Sequence, residues 1–464
     1  MIDDTICTSC NKIPELQGRI EAEGVRQSCS VCRQDQQKAI ALEHLLEQID
    51  KGFTNVYGHV DSNAFTEEEE GDDLEEALDS LTGWDSAVTK LIAETLCESE
   101  PGYNPSKDGE PFYSEAQNYV KLPDEYDSGN DELGASWDKF KLGIKHEARF
   151  FPESSINELR EIFGNLENAH GSIRDVIIRS IGPGTDISAV FRAREIDINN
   201  KKSVIKLLKN PADKFGAPPP RRARANRLNP TGIRAFYGSL DPMTCLAELR
   251  LPIGSSAIVV SFNITRKLRL LDVAHLPTTV KRLSPFHPNY VRSHQFLSFI
   301  RQFSFEISSP ILPKDTHLDY IATQAVAEYL AHHHSPAFDG ILYNSSQEGD
   351  GINIVLFQHA CAVESSGELK GSNYKFYDET DFDDDDRGGY HIGYMLSYKP
   401  GSDQEVYETD EDLKFLTDAP DSGKSPQNQA LQYIEGSATV YNVERVVYSA
   451  NSLPIKVVPI KNGA

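Results

Sequence analysis

The residues best suited to chemistry lie at positions 221–248, in the stretch RRARANRLNPTGIRAFYGSLDPMTCLAE. This stretch is rich in arginine and also contains Tyr237 and Glu248. A guanidinium can bind two phosphate oxygens at once, and a carboxylate can stabilise a positively charged sugar. The combination predicts a site for a dinucleotide whose glycosidic bond is cleaved.

The elements that must position these residues are strands, turns and a helix. Residues 233–238 predict a strand, and Asp241 followed by Pro242 predicts the start of a helix that carries Glu248. A breaker-rich segment at 180–184 marks a domain boundary. Beyond it, the pattern predicts a helix at 320–333 and strands at 189–194, 256–262, 268–271, 340–343, 352–357 and 438–448. The two short apolar strands, 340–343 and 352–357, suit central positions in a sheet.

The chain has 464 residues and a formal net charge of −25. This length favours two domains with extensions over one core. The negative charge repels nucleic acids and anionic membranes, so we expect neither as a partner. The sequence has no apolar run long enough to span a bilayer and no secretory signal pattern. Seven cysteines, four of them in two CxxC pairs, favour a reducing cytoplasm over a disulfide framework.

Acidic residues are concentrated in three blocks, at 67–76, 378–386 and 403–412. Blocks of this kind are typical of solvated loops or disordered inserts, with binding of divalent cations as the minor alternative. The last two blocks lie within residues 366–430, which we therefore expect to form a flexible insert.

Two CxxC pairs, separated by 18 residues, lie near the N-terminus; their members are Cys7, Cys10, Cys29 and Cys32. Each pair can hold a metal with two thiolates, and the linker is long enough to bring the pairs together. This predicts a structural zinc ion in a zinc-ribbon module, with unpaired thiols and redox chemistry as alternatives. Helices are expected to follow at 33–51 and 73–97.

Several motifs in the second half of the chain resemble the RES domain, in the order found in that family. Across residues 186–362 they include FRAR at 191–194, RLNP at 227–230, LAE at 246–248, DGILYNSS at 339–346 and NIVLF at 353–357. Arg227, Glu248 and one of Ser345 and Ser346 match the arginine, glutamate and serine that give the family its name. The cysteine module and residues 137–151 resemble the HEPN-associated N-terminal domain that is often joined to RES domains.

The resemblance implies an α+β fold similar to that of ADP-ribosyltransferases, with a mixed β-sheet core and flanking helices. It also implies a toxin or defence effector that cleaves the nicotinamide–ribose bond of NAD. The acceptor stays open, so an NAD glycohydrolase, an NAD phosphorylase and an ADP-ribosyltransferase all fit. A zinc-ribbon adaptor with an inactive RES domain is the remaining alternative. A separately encoded antitoxin or regulator is an expected partner, and a homo-oligomer is compatible with the sequence.

In this interpretation Glu248 stabilises the oxocarbenium ion, while Arg192 and Arg227 bind the phosphates. Tyr237 stacks on nicotinamide or donates to the ribose. Because Arg192 shares an alternating stretch with Arg194, we expect that one of the two, Arg192, faces the cleft.

Polar residues that contact NAD are expected after the strand at 340–343, where Asn344, a predicted binding residue, is followed by Ser345 and Ser346. Either serine could hydrogen-bond the ribose or a phosphate, and the sequence does not decide between them.

The expected domains are a zinc-binding module at 1–35, a mainly helical domain at 36–180 and a RES domain at 185–365. The acidic insert at 366–430 follows, and residues 431–464 are expected to return to the RES sheet as terminal strands.

Overall fold

The computed structural model describes thirteen parts of the chain: residues 4–59, 71–99, 111–114, 117–122, 132–149, 153–164, 166, 176–276, 283–309, 316–364, 371–378, 394–400 and 429–446. The chain divides into two compact units. The first unit comprises Met1–Gly143, Pro152–Arg174 and Pro277–Phe303, and the second comprises Ile144–Phe151, Asp175–Leu276 and Ser304–Ala464. Helices and mixed sheets occur together, so the fold is α+β.

The elements are numbered along the chain. The helices are α1 (Pro14–Glu23), α2 (Glu43–Thr54), α3 (Leu74–Thr82), α4 (Ser86–Glu98), α5 (Glu132–Leu142), α6 (Glu153–Phe163), α7 (Lys201–Lys209), α8 (Pro211–Phe215), α9 (Pro242–Leu249), α10 (Tyr290–Ser308) and α11 (Thr316–His332). The strands are β1 (Thr5–Cys7), β2 (Val25–Gln27), β3 (Gln37–Ala41), β4 (Tyr57–His59), β5 (Tyr119–Lys121), β6 (Ile178–Ile181), β7 (Ala189–Ile196), β8 (Phe236–Ser239), β9 (Ser256–Ile264), β10 (Leu268–Asp272), β11 (Gly340–Asn344), β12 (Ile352–Leu356), β13 (Ala362–Val363), β14 (Gly371–Asp378), β15 (Tyr394–Pro400), β16 (Gln429–Tyr433) and β17 (Thr439–Asn442).

The first unit begins with a three-stranded antiparallel sheet in the order β1-β3-β2. The predicted helix over 33–51 is wrong in its first part, because residues 37–41 form the central strand of this sheet and α2 begins only at Glu43. The helix predicted over 73–97 is two helices, α3 and α4. Gly83 ends α3 in the left-handed conformation, with φ of 62°, which glycine adopts without steric cost.

The core of the first unit includes a segment from far along the sequence. Phe286 is buried with α2, and its ring lies against Gly52, where a side chain would overlap it. Gln48 also donates to the backbone oxygen of Phe286 over 3.1 Å. Residues 277–303 therefore cluster with the first unit, although they fall within the continuous range expected for one domain, 185–365.

The second unit is built on a ten-stranded mixed sheet in the order β13-β16-β9-β7-β8-β12-β11-β10-β6, with β17 also paired to β9. The pairs β10–β11 and β13–β16 are parallel, and the other pairs are antiparallel. The predicted central positions of the two apolar strands are confirmed, since β11 and β12 lie inside this order. Most of their residues are fully buried.

Strand β7 carries both arginines of the FRAR motif on one face. Arg192 lies above the ring of Phe236, and Arg194 lies above the ring of Phe215. Residues two positions apart in a strand share a face, so strand alternation does not separate these two arginines. Phe191 points to the opposite face, where it pairs with Ser239 of β8.

The segment expected to be a flexible insert, 366–430, contains an antiparallel strand pair. Strands β14 and β15 pair through residues 371–378 and 394–400, and Phe376 is buried in the core of the second unit. Lys209 of α7 lies 4.0 Å from the ring of Tyr374. The acidic residues 379–386 and 403–412 lie outside the described residues. In the described part of the chain, no helix has the length and apolar character needed to cross a membrane.

Candidate active site

Glu248 is held near the C-terminal end of α9. The predicted start of this helix is confirmed: Asp241 is the cap and accepts a hydrogen bond from the backbone N–H of Thr244 over 2.9 Å, and Pro242 is the first residue. The helix ends at Arg250, which adopts the left-handed conformation with φ of 53°. Glu248 is exposed, so its carboxylate is accessible from solvent.

The Glu248 carboxylate is fixed by two hydrogen bonds to the same oxygen. The Ser345 hydroxyl donates to Oε1 over 2.6 Å, and Nδ2 of Asn353 donates to it over 2.7 Å. Both donors are buried. An ionised carboxylate is only an acceptor, so a donor from each of two neighbouring strand segments suits the charged form.

The structure distinguishes the two adjacent serines. Ser345 is 8% exposed, and its hydroxyl also accepts the backbone N–H groups of Gln347 and Glu348, at 3.1 and 3.2 Å. Its single hydroxyl hydrogen is therefore directed to Glu248. Ser346 is exposed and accepts from the Gln347 side chain. Asn344, the last residue of β11, pairs in register with Ile352.

Arg227 lies on a loop that is fastened to α11. The Thr323 hydroxyl donates to the backbone oxygen of Arg227 over 2.5 Å, and the Gln324 amide donates to the backbone oxygens of Asn226 and Asn229. Through Nη1, Arg227 itself donates to the backbone oxygens of Glu306 and Ile307, near the C-terminal end of α10. A cation is favoured there by the helix dipole. Arg227 thus has structural partners in the backbone of α10, and its expected role in binding phosphate stays a prediction.

Tyr237 supports the same loop. Its hydroxyl donates to Oδ1 of Asn229 over 2.8 Å and accepts the backbone N–H of Leu228 over 3.1 Å. Burial raises the pKa of Tyr237, so the hydroxyl stays protonated and can donate. These bonds engage the hydroxyl group that was expected to donate to a ribose, while the ring remains only half-buried.

Arg192 is half-buried, and the end of its side chain is enclosed. Its Nη1 atom has no hydrogen-bond partner among the described residues, and burial lowers its pKa to about 10. After burial, the largest influences on this pKa come from Arg194, Cys245 and Cys361, none of which is a carboxylate. A guanidinium in this state requires an anion or water for the buried nitrogen. Strand alternation nevertheless places it on the opposite face from Ser239, the in-register neighbour of Asn353.

Two further residues belong to the site but were not assigned a role from sequence. Asn353 contacts Glu248 directly, and its signal was a single amide within the buried apolar strand β12. Tyr343 is half-buried at the end of β11 and is influenced by two charges of the site. Burial raises its pKa, the charge of Glu248 acts in the same direction, and the charge of Arg227 opposes it. Its signal was a tyrosine at the end of an apolar strand, beside Asn344.

Family models of known domains match two parts of this chain. The RES domain model matches residues 204–376, and the model of HEPN/RES N-terminal domain 1 matches residues 22–158. The chain is a RES-domain protein. No curated protein and no solved structure matched it.

The RES match includes most of the site. Arg227, Tyr237, Glu248, Ser345 and Asn353 all fall within it, whereas β7 with Arg192 precedes residue 204. Strands β16 and β17 follow the end of the match and both pair with β9. The folded unit of this RES-domain protein is therefore larger than the matched segment.

The RES-domain protein also has a cluster of four thiols in its first unit. The sulfur atoms of Cys7, Cys10, Cys29 and Cys32 all lie within 4.8 Å of one another. Burial acts to raise the pKa of Cys29, but hydrogen bonds from the backbone of Cys32, Val31 and Cys7 outweigh it and lower that pKa to about 7. Four convergent sulfurs suit a soft, tetrahedral metal ion, so this cluster could hold one.

Proposed function

We propose that this protein consumes NAD by cleaving the bond between nicotinamide and ribose. The observation that carries the proposal is the Glu248 carboxylate, accessible from solvent and fixed by Ser345 and Asn353 within the RES domain. Glycosidic cleavage of this kind needs one well-oriented negative charge beside the sugar.

Cleavage of this bond requires few other catalytic groups. Nicotinamide leaves NAD as a neutral molecule from a cationic ring, so no strong general acid is required. The transition state carries positive charge on the ribose, which Glu248 stabilises. After cleavage, the same carboxylate orients the incoming nucleophile, which is water in a glycohydrolase and phosphate in a phosphorylase.

The arginines and aromatic residues serve binding in this proposal. Arg227 binds the phosphates through the guanidinium nitrogens that are not engaged by the backbone of α10. The half-buried ring of Tyr237 provides a stacking face for nicotinamide, while its hydroxyl keeps the Arg227 loop in place. Arg192 carries a further positive charge, but it lies on the sheet face opposite Ser239 and Asn353, so its expected contact with a phosphate stays a prediction.

Product analysis with purified protein tests the proposal. Incubation with NAD should release nicotinamide together with ADP-ribose, or with ADP-ribose phosphate when inorganic phosphate is present. Glu248→Gln keeps the size of the side chain and removes its charge, and we expect it to lower the rate by about 100-fold or more. Unchanged nicotinamide release by this variant would exclude Glu248 as the stabilising carboxylate.

The same experiment separates the alternatives. NAD labelled in its adenosine half gives a small labelled product if water or phosphate is the acceptor, and labelled macromolecules if the protein is an ADP-ribosyltransferase. A folded wild-type protein that leaves NAD intact would instead support an adaptor with an inactive RES domain.

We infer a toxin or defence role from the consequence of this activity. An enzyme that depletes NAD harms the cell that contains it, so a separately encoded antitoxin or regulator is the expected partner. Controlled expression should lower cellular NAD and arrest growth, and Glu248→Gln should do neither at equal protein level.

A further inference from the structure

Two buried polar side chains, Ser239 and Asn353, form a hydrogen-bonded series that ends at Glu248. The hydroxyl of Ser239 donates to Oδ1 of Asn353 over 2.8 Å, and Nδ2 of Asn353 donates to Oε1 of Glu248 over 2.7 Å. Ser239 and Asn353 are directly opposite each other on β8 and β12. They are 2% and 4% exposed.

The geometry points to Asn353 as a positioning residue for Glu248, with its amide oriented by Ser239. This inference rests on the proposed cleavage of NAD and adds Asn353 and Ser239 to the residues that support it. The amide is bound at both ends, and rotation of the group by half a turn would place its oxygen against the Glu248 carboxylate, which can only accept. Asn353 therefore presents a fixed N–H donor.

The position of Glu248 explains why it needs such a donor. It lies in the last turn of α9, where the helix dipole disfavours a negative charge. Two donors, Asn353 and Ser345, oppose this effect and converge on Oε1. In the described residues nothing donates to Oε2, so this oxygen is left for the ribose.

The informative variant is Asn353→Asp, which has nearly the same shape but replaces the N–H donor with a second carboxylate. A second carboxylate beside Glu248 disfavours ionisation of the pair, so the acid limb of the kcat profile should move to higher pH by about one unit or more. At neutral pH we expect kcat to fall by about 100-fold, because the reacting group loses its orientation. The KM for NAD should change by less than about threefold, because Asn353 is buried.

Substitutions at Ser239 test the same series of hydrogen bonds in two steps. Ser239→Ala removes the donor that orients the amide and should lower kcat, whereas Ser239→Thr keeps a hydroxyl and should restore most of it. A matched control exists elsewhere in the sheet: Ser256 of β9 donates to Asn442 of β17 over 2.7 Å. Asn442→Asp and Ser256→Ala should leave kcat and the pH profile unchanged at similar thermal stability.

Two results would overturn the inference. One is a wild-type pH profile in Asn353→Asp, and the other is an equal loss of kcat in the Asn442→Asp control. An NMR titration of the Glu248 carboxyl carbon, assigned by its absence in Glu248→Gln, gives a reading that needs no turnover. If the wild-type protein does not cleave NAD, the proposed function fails, and only the titration then tests whether Asn353 positions Glu248. The titration midpoint of Glu248 must rise in Asn353→Asp, or the positioning role is wrong as well.

Discussion

The hydroxyl of Ser345 donates a 2.6 Å hydrogen bond to the Glu248 carboxylate, although 97 positions separate the two residues. The bond joins the turn after β11 to the last turn of α9. Ser346, the next residue, is exposed and contacts Gln347 instead. The fold thus places Ser345, and not the chemically identical Ser346, in contact with Glu248.

Ser345→Ala should lower the NAD cleavage rate, because Glu248 loses one of its two donors. We expect a reduction of about tenfold or more, the loss usual for a charge-assisted hydrogen bond. Ser346→Ala is the matched control and should retain nearly full activity. Steady-state kinetics on both variants decide the question, and a greater loss in Ser346→Ala would contradict the assignment.

Tyr237→Phe should loosen the loop that carries Arg227. The change leaves Asn229 and the backbone N–H of Leu228 without their partner, at a cost of about 1–3 kcal/mol. If Arg227 binds the phosphates, the KM for NAD should rise more than kcat falls. Tyr433→Phe, which removes a hydroxyl from β16 in the same unit, should not alter the KM.

The four-cysteine cluster should bind about one zinc ion per chain, as measured by elemental analysis of the purified protein. Removal of the metal by a chelator should lower the melting temperature, because metal binding is coupled to folding of such modules. Cys7→Ser should reduce the zinc content, whereas Cys97→Ser, outside the cluster, should not. Full zinc content in Cys7→Ser would argue against this site.

Gly52→Ala should destabilise the protein by about 1–3 kcal/mol, because a new methyl group would overlap the buried ring of Phe286. The same substitution at Gly18 is the control. Gly18 is exposed in α1 and has open space around it, so alanine there should stabilise by about 0.5–1 kcal/mol. Urea unfolding of the two variants measures the change in the free energy of unfolding, which should have opposite signs. Changes of the same sign would show that Phe286 does not pack against Gly52.

Asp339 should make stability depend on pH in the acidic range. Burial acts to raise the pKa of Asp339, but hydrogen bonds from His359, Arg266 and the backbone of Arg269 outweigh it and lower that pKa from 3.8 to about 2. A lowered pKa stabilises the folded state above about pH 4, and this contribution is lost as the pH falls towards about 2.

Asp339→Asn should therefore cost about 2 kcal/mol at neutral pH, and the difference from wild type should shrink below about pH 4. Unfolding curves recorded over a pH series test this expectation. Asp186→Asn removes a more exposed partner of Arg179 and should have little effect at any pH. A constant difference across the series would show that the Asp339 charge is not responsible.

Much of the second unit could be predicted from the sequence. The cap at Asp241 and Pro242 fixed the start of α9, and short apolar runs identified β11 and β12 as inner strands. These features are local, because caps and alternation act within a few residues. Local signals failed at residues 37–41, where pairing with β1 and β2 produces a strand inside a helix-like pattern.

The sequence by itself determined which chemical groups are available: the carboxylate of Glu248, the arginines, and the two CxxC pairs. Only the tertiary structure decided how they are arranged. In the folded protein, Ser345 rather than Ser346 contacts Glu248, and Asn353 contacts it as well. Tyr237 is hydrogen-bonded to the Arg227 loop, and Arg192 and Arg194 lie on one face of β7. These outcomes depend on strand register and on contacts between residues about a hundred positions apart, and such contacts form only when the whole sheet is assembled.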